Sequence, residues 1–155
     1  MSIVSSAAFV QRHKVLLPIA VGGGVAGALD LISAFLSMGW GVPRGIAGGL
    51  LGPNAHQGGV AVWILGVFLH FFIAYSAATI YCISSWKLEF LKNHFLVCGL
   101  LYGMIVFLVM TLVVLPLSAY HAAGPYQLHS LIHGIGMQML IIGLPISISL
   151  RLFSK

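Results

Sequence analysis

Charged residues are scarce in this sequence. Asp30 and Glu89 are its only acidic residues, and charged residues make up 6% of the 155. A soluble domain carries about 25%, so the composition excludes an ordinary soluble protein. The mean hydropathy of +1.09 indicates a membrane protein. The net charge is +5, but six of the seven basic residues lie beside the ends of apolar runs. Membrane orientation therefore explains them better than nucleic-acid binding does.

Sequence motifs for catalysis are missing. The chain has no G-x-S-x-G, H-E-x-x-H or Walker sequence. Cys82 and Cys98 have neither zinc-ligand spacing nor the pattern of a disulfide framework. A mechanism with paired carboxylates would need a second acid beside Asp30, which the membrane-embedded sequence does not offer. The sequence thus predicts a protein that is not an enzyme.

Long apolar runs are what the sequence does have. A transmembrane helix needs about 20 apolar residues, and four runs meet this requirement. They cover residues 15–38, 60–83, 94–116 and 128–150. No linker, charge block or repeat divides the chain. We therefore predict an all-α fold, a bundle of four transmembrane helices that forms a single domain over residues 1–155.

The first run has a second interpretation. Arg12 and Lys14 precede it, and the A-G-A sequence at residues 26–28 is typical of a signal-peptide cleavage site. However, the apolar pattern resumes after Asp30. This continuation favours a retained transmembrane helix.

The basic residues predict the orientation of the bundle. They flank the start of the first run, the connection between runs two and three, and the C-terminus, whereas Arg44 alone lies in an opposite connection. Cytoplasmic loops carry the excess of Lys and Arg. Both termini should therefore be cytoplasmic.

The connection between runs one and two, residues 39–59, is rich in glycine yet remains apolar. A short interfacial or re-entrant helix that begins near Pro43 is one interpretation, since proline suits the first turn of a helix. A glycine-rich loop on the bilayer surface is the other.

Two pairs of glycines are four residues apart in the membrane, Gly23 with Gly27 and Gly99 with Gly103. Small residues at this spacing let helices approach closely in lipid. We expect these faces to pack within the bundle. A homodimer interface is the alternative.

Asp30 is the residue around which the functional hypothesis is built. A carboxylate at the centre of a bilayer costs roughly 2.5–3.5 kcal/mol and needs a partner or a water path. In depth, Asp30 lies between His133, which is nearer the outer boundary, and His70, which is nearer the bilayer centre, and Tyr81 shares a helix face with His70. We predict that Asp30 accepts a hydrogen bond from one of these histidines. The cluster would be open toward the periplasm and would bind or pass a proton, a cation or a small polar ligand. Alternatively, it is a buried pair that only fixes helix register.

Histidines also raise the question of a metal or haem. His56, His121, His129 and His133 all fall toward the same side of the membrane, and imidazoles suit copper or zinc. For haem, the axial pair would be His70 and His133, but their depths differ by roughly 7–8 Å at 1.5 Å per residue. Haem and copper are therefore third-rank alternatives.

Three stretches carry a family resemblance: GALDLI at 27–32, GGLLGPNAHQGGVAVWILGVFLHFFIAY at 48–75, and GLLYGMIVFLVMTLVVLPLSA at 99–119. They resemble a group of uncharacterised bacterial inner-membrane proteins with four spans and, more distantly, YagU-like proteins. The resemblance implies a multi-pass protein of the bacterial inner membrane, with polar residues at the positions of Asp30 and His70. It implies no activity.

The leading hypothesis is a small non-enzymatic bundle with a polar Asp/His site. We expect it to form a homo-oligomer in the lipid bilayer, since four short helices enclose little volume. The runner-up is an accessory subunit of a larger membrane complex, such as a respiratory one.

Overall fold

A computed structural model describes residues 3–121 and 127–154, and every regular element among them is helical. In chain order the α-helices are α1 (Ile3–Met38), α2 (Val42–Leu51), α3 (Val60–Lys87), α4 (Phe90–Asn93), α5 (Phe95–Val109), α6 (Leu115–Leu117), α7 (Leu128–Gln138) and α8 (Leu144–Phe153). A short 3-10 helix covers Pro53–Gln57, and π-helical segments at Met110–Val114 and Met139–Gly143 join α5 to α6 and α7 to α8.

Among the described residues, four helical stretches are long and apolar enough to cross a membrane, which confirms the four predicted runs. These spans one to four are Val15–Met38, Val60–Lys87, Phe95–Leu117 and Leu128–Phe153. Only 17% to 33% of the most apolar window of each span is buried inside the bundle. Most of the apolar side chains therefore point outward, as lipid contact requires.

Each π-helical segment ends two residues before a proline. Met110–Val114 precedes Pro116, and Met139–Gly143 precedes Pro145. A proline ring clashes with the carbonyl four residues earlier and cannot donate to it. The extra residue of a π-helical turn relieves this clash, so the prolines explain why both spans depart from regular α-helix at this point.

The four glycines of the small-residue pairs lie at contacts between helices of the same chain. A Cβ atom on Gly23 would meet the Tyr75 ring, and one on Gly27 would lie 3.0 Å from Ala74 Cβ. Gly99 and Gly103 lie against the fourth span, where added Cβ atoms would meet Ser147 and the carbonyl of Gln138. Spans one and two, and spans three and four, therefore pack at close range within the bundle.

The core of the bundle is built mainly from small side chains and lies toward the end where α4 is found. It comprises Ala26, Ala77, Ala78, Tyr81, Cys82, Cys98, Ile142, Ile146 and Leu150. Ser149 Oγ donates a 3.0 Å hydrogen bond to the carbonyl oxygen of Pro18, which links spans four and one. We call the end of the bundle that contains α4 the α4 end, and the opposite end, which contains α2, the α2 end.

At the α2 end, the glycine-rich connection is a helix followed by a 3-10 helix, and Pro43 lies in the first turn of α2 as predicted. The helix is held in place on two sides. The carbonyl of Pro43 packs directly on Gly66 of α3, and Ala119 N–H donates a 2.8 Å hydrogen bond to the Gly49 carbonyl. Arg44 Nε donates to the Gly58 carbonyl at 2.8 Å. An interfacial or re-entrant position of α2 in the bilayer stays a prediction.

Candidate functional site

A cavity of about 180 Å³ lies between the four spans, next to α2. It is lined by Asp30, Ile46, His70, Ile73, Ala74, Ala77, Val106, Met110, Gln138 and Ile142. Three of these side chains are strongly polar, and each comes from a different span: Asp30 from the first, His70 from the second and Gln138 from the fourth. The first two are the residues that the sequence singled out.

His70 is buried and its orientation is fixed. Its Nε2 atom lies 2.8 Å from the carbonyl oxygen of Gly27, and its ring packs edge-on against Phe71 at 5.5 Å. A carbonyl oxygen only accepts hydrogen bonds, so Nε2 carries the hydrogen. In the neutral imidazole, Nδ1 is then an acceptor.

The predicted hydrogen bond between Asp30 and a histidine is not found among the described residues. His70 donates to Gly27 instead, because the close approach of spans one and two at Gly27 brings that carbonyl within reach of the ring. Asp30 is half-buried and lines the same cavity as His70. The two side chains thus share a cavity without a direct hydrogen bond.

Gln138 is the member of the site that sequence analysis missed. Its Oε1 atom is buried and has no hydrogen-bond partner within the described part of the chain. A signal was present, because Gln138 is the only Asn or Gln within the four predicted spans. Only ionisable side chains were considered there, and a neutral amide also needs a partner in an apolar setting.

His133 and Tyr81 do not line the cavity. His133 is exposed on α7, before the π-helical segment of span four, so its face does not turn inward as predicted. Tyr81 is buried in the core toward the α4 end. Its ring contacts Tyr102 with centroids 4.8 Å apart, and its hydroxyl lies 3.5 Å from the Leu91 carbonyl oxygen. Both residues lie outside the site.

The histidines proposed as metal ligands are not brought together. No group of three or more His, Cys, Asp or Glu side chains that could hold a metal occurs among residues 3–121 and 127–154. His56 Nε2 is hydrogen-bonded to the Tyr120 hydroxyl at 2.7 Å, whereas His121, His129 and His133 are exposed. The residues therefore do not fit a copper or zinc site. Nor do His70 and His133 face each other across one cavity, as bis-histidine haem would require.

A larger groove of about 640 Å³ adjoins the polar cavity at the α2 end. It runs between α2 and spans two and three, and its walls are mostly apolar. Ile46, Ile73 and Met110 line both the groove and the cavity. The cavity therefore lies between the groove and the core, of which Ala77 and Ile142 also line the cavity.

Four apolar helices around a small polar cavity indicate a multi-pass membrane protein of the helical-bundle class. No protein-family model matches the chain, and no curated protein or solved structure is detectably similar to it. The resemblance to YagU-like and other four-span inner-membrane proteins stays a prediction from the sequence.

Proposed function

We propose that the protein binds a small cation that donates hydrogen bonds, of the ammonium type, in the cavity between Asp30, His70 and Gln138. The observation that carries the proposal is the meeting of polar side chains from three different spans in one cavity. Polar and ionisable groups inside a membrane are expensive and mark sites of ligand or ion traffic.

The chemistry of the lining residues favours a cationic donor. Asp30 offers carboxylate oxygens, and Gln138 offers a buried Oε1 atom that needs a donor. His70 in its neutral form offers Nδ1, because Nε2 is already engaged. No Lys or Arg is among the described residues that line the cavity. An anion would therefore meet a carboxylate without a fixed compensating charge, whereas a cation would be attracted to it.

The path into the site supports access from one side of the membrane. The cavity adjoins the groove at the α2 end, and the basic residues predict that the α2 end faces the periplasm of a bacterial inner membrane. The ligand would thus be taken from the periplasm. A proton carried as hydronium is the smallest ligand of the same chemistry, and release on the other side would make the protein a transporter.

The proposal is tested by the binding of methylammonium to the purified full-length protein in lipid nanodiscs. Asp30→Asn keeps the size of the side chain but removes its charge. A hydrogen bond to a charged group contributes about 1.5–3 kcal/mol, so we expect binding to weaken roughly tenfold to a hundredfold.

Glu89→Gln is the matched control, because it removes the only other acid of the chain, which lies exposed beside α4. It should bind methylammonium as the wild type does. If Asp30→Asn binds methylammonium with unchanged affinity, or if the wild type does not bind it, the proposal is wrong.

A further inference from the structure

The groove at the α2 end adjoins the cavity that holds Asp30. Ile46, Ile73 and Met110 line both spaces, so the two are neighbours. We propose that the ligand of this protein is an amphiphile, with a primary ammonium head at Asp30 and a single aliphatic chain along the groove. This inference rests on the proposed function, because it places the head in the same cavity.

The sizes of the two spaces support this division. A groove of about 640 Å³ falls within the range of roughly 300–1,000 Å³ that is typical of small-molecule sites. The cavity, at about 180 Å³, has room for a small head group. A water molecule occupies about 30 Å³ of liquid volume, so the cavity is several waters in size.

The distribution of charged and apolar side chains determines which end of the ligand lies in the cavity and which lies in the groove. The carboxylate of Asp30 belongs to the cavity, and none of the described residues that line the groove is charged. The polar groups of the groove include His56 and Tyr120, which are hydrogen-bonded to each other at 2.7 Å. The cationic head therefore finds its counter-charge only in the cavity.

The outer wall of the groove suits an aliphatic chain that comes from the bilayer. Met38 and Leu50 line the groove and are 77% and 65% exposed. With α2 in the bilayer, as the sequence predicts, these exposed apolar side chains would face lipid, and an aliphatic chain in the groove would be continuous with the hydrocarbon of the bilayer. The amphiphile can thus reach the site sideways from the membrane.

Two glycines of α2 are positions at which a larger side chain would fill the groove, and each has room for a Cβ. Gly45 and Gly49 both line the groove, and a Cβ on either would approach other atoms no closer than 3.7 Å and 3.8 Å. A leucine side chain at either position would occupy the space proposed for the aliphatic chain of the ligand. Gly136 on α7 lines neither space and has nothing within 4 Å of an added Cβ, so Gly136→Leu is the matched control.

The experiment compares n-octylamine with methylammonium, using isotope-labelled ligands and the full-length protein in nanodiscs, with empty nanodiscs subtracted. Octylamine should bind to the wild type at least about tenfold more tightly than methylammonium does, because its methylene groups leave water for an apolar groove. Gly45→Leu and Gly49→Leu should lose this gain and still bind methylammonium, and Gly136→Leu should bind both ligands normally. Retained methylammonium binding also shows that the leucine variants are folded.

The outcomes separate this inference from the proposed function. If methylammonium binds but octylamine binds no more tightly to the wild type, the amphiphile is wrong and the cation site stands. The amphiphile is also wrong, and the cation site still stands, if Gly45→Leu and Gly49→Leu both bind octylamine as the wild type does. If octylamine binds equally well to Asp30→Asn, its head is not at the carboxylate. If neither amine binds to the wild type, both proposals fail.

Discussion

At the scale of single residues, the cavity combines the carboxyl group of Asp30 with the side chains of His70 and Gln138, which come from two other spans. His70 is held by a backbone carbonyl of span one, and Asp30 lies on the next turn of that helix. Asp30 and Gln138 have no hydrogen bond of their side chains among the described residues. The fold thus fixes one member of the site and leaves acceptors on the other two for a ligand.

Gln138 allows a prediction that separates binding from folding. A buried acceptor without a donor costs about 1–3 kcal/mol, so Gln138→Leu should raise the free energy of unfolding by about 1 kcal/mol. The same change removes a ligand contact and should weaken methylammonium binding roughly two- to tenfold. Unfolding in mixed micelles and equilibrium binding in nanodiscs measure the two effects.

Met137→Leu is the control for Gln138→Leu, since Met137 is the neighbouring residue and does not line the cavity. Met137→Leu should change neither the free energy of unfolding nor the affinity for methylammonium by much. A Gln138→Leu variant that is less stable but binds methylammonium normally would show that the amide has a structural role only.

At the scale of helices, the hydropathy pattern predicted the spans well. The predicted runs and the observed spans begin within one residue of each other and end within four. Length and apolar character alone set these limits. Of the two interpretations of residues 39–59, the structure has the short helix with Pro43 in its first turn, where proline is favoured, and not the glycine-rich loop.

The inward faces of the helices were harder to predict. The argument for His133 assumed that the face of span four that carries His129 and His133 turns inward. At about 100° per residue, Ile142 lies nine residues after His133 and therefore about 180° around the helix from it. Ile142 and Ile146 are buried and His133 is exposed, so the opposite face turns inward. An apolar sequence on all sides of a span does not indicate which face is buried.

The position of α2 depends on the contact between Gly66 and Pro43, which gives a prediction at this scale. A Cβ on Gly66 would collide with the Pro43 carbonyl, a backbone group that cannot rotate away. Gly66→Ala should lower the free energy of unfolding by about 1–3 kcal/mol, the usual effect of overpacking. The measurement is unfolding in mixed micelles.

Gly136→Ala is the matched substitution, because nothing lies within 4 Å of its added Cβ. It should leave stability unchanged or raise it by up to about 1 kcal/mol, as alanine favours helix over glycine. Equal stability of the two variants would contradict the proposed contact between α2 and α3.

At the scale of the whole molecule, the buried core and the groove lie toward opposite ends of the bundle. The core lies toward the α4 end and the groove lies at the α2 end, and the cavity lies between them, since Ala77 and Ile142 belong to the core and also line the cavity. The glycine pairs are used within the chain, so they no longer favour a homodimer or a partner complex. Both kinds of assembly stay predictions.

The positions of the basic residues predict on which side of the membrane the α2 end lies. A fluorescent protein fused after the C-terminus should fluoresce in a bacterial host, and alkaline phosphatase fused there should be inactive. Alkaline phosphatase inserted in the connection between spans three and four should be active, because that connection carries no Lys or Arg. The reverse pattern would place the α2 end in the cytoplasm.

The most direct test of the central claim is an experimental map of the protein in nanodiscs with methylammonium. We predict ligand density between the spans, with its nitrogen within about 3.2 Å of an Asp30 carboxylate oxygen and of Gln138 Oε1. A map in which the Asp30 side chain contacts lipid, with no ligand between it and Gln138, would contradict the account.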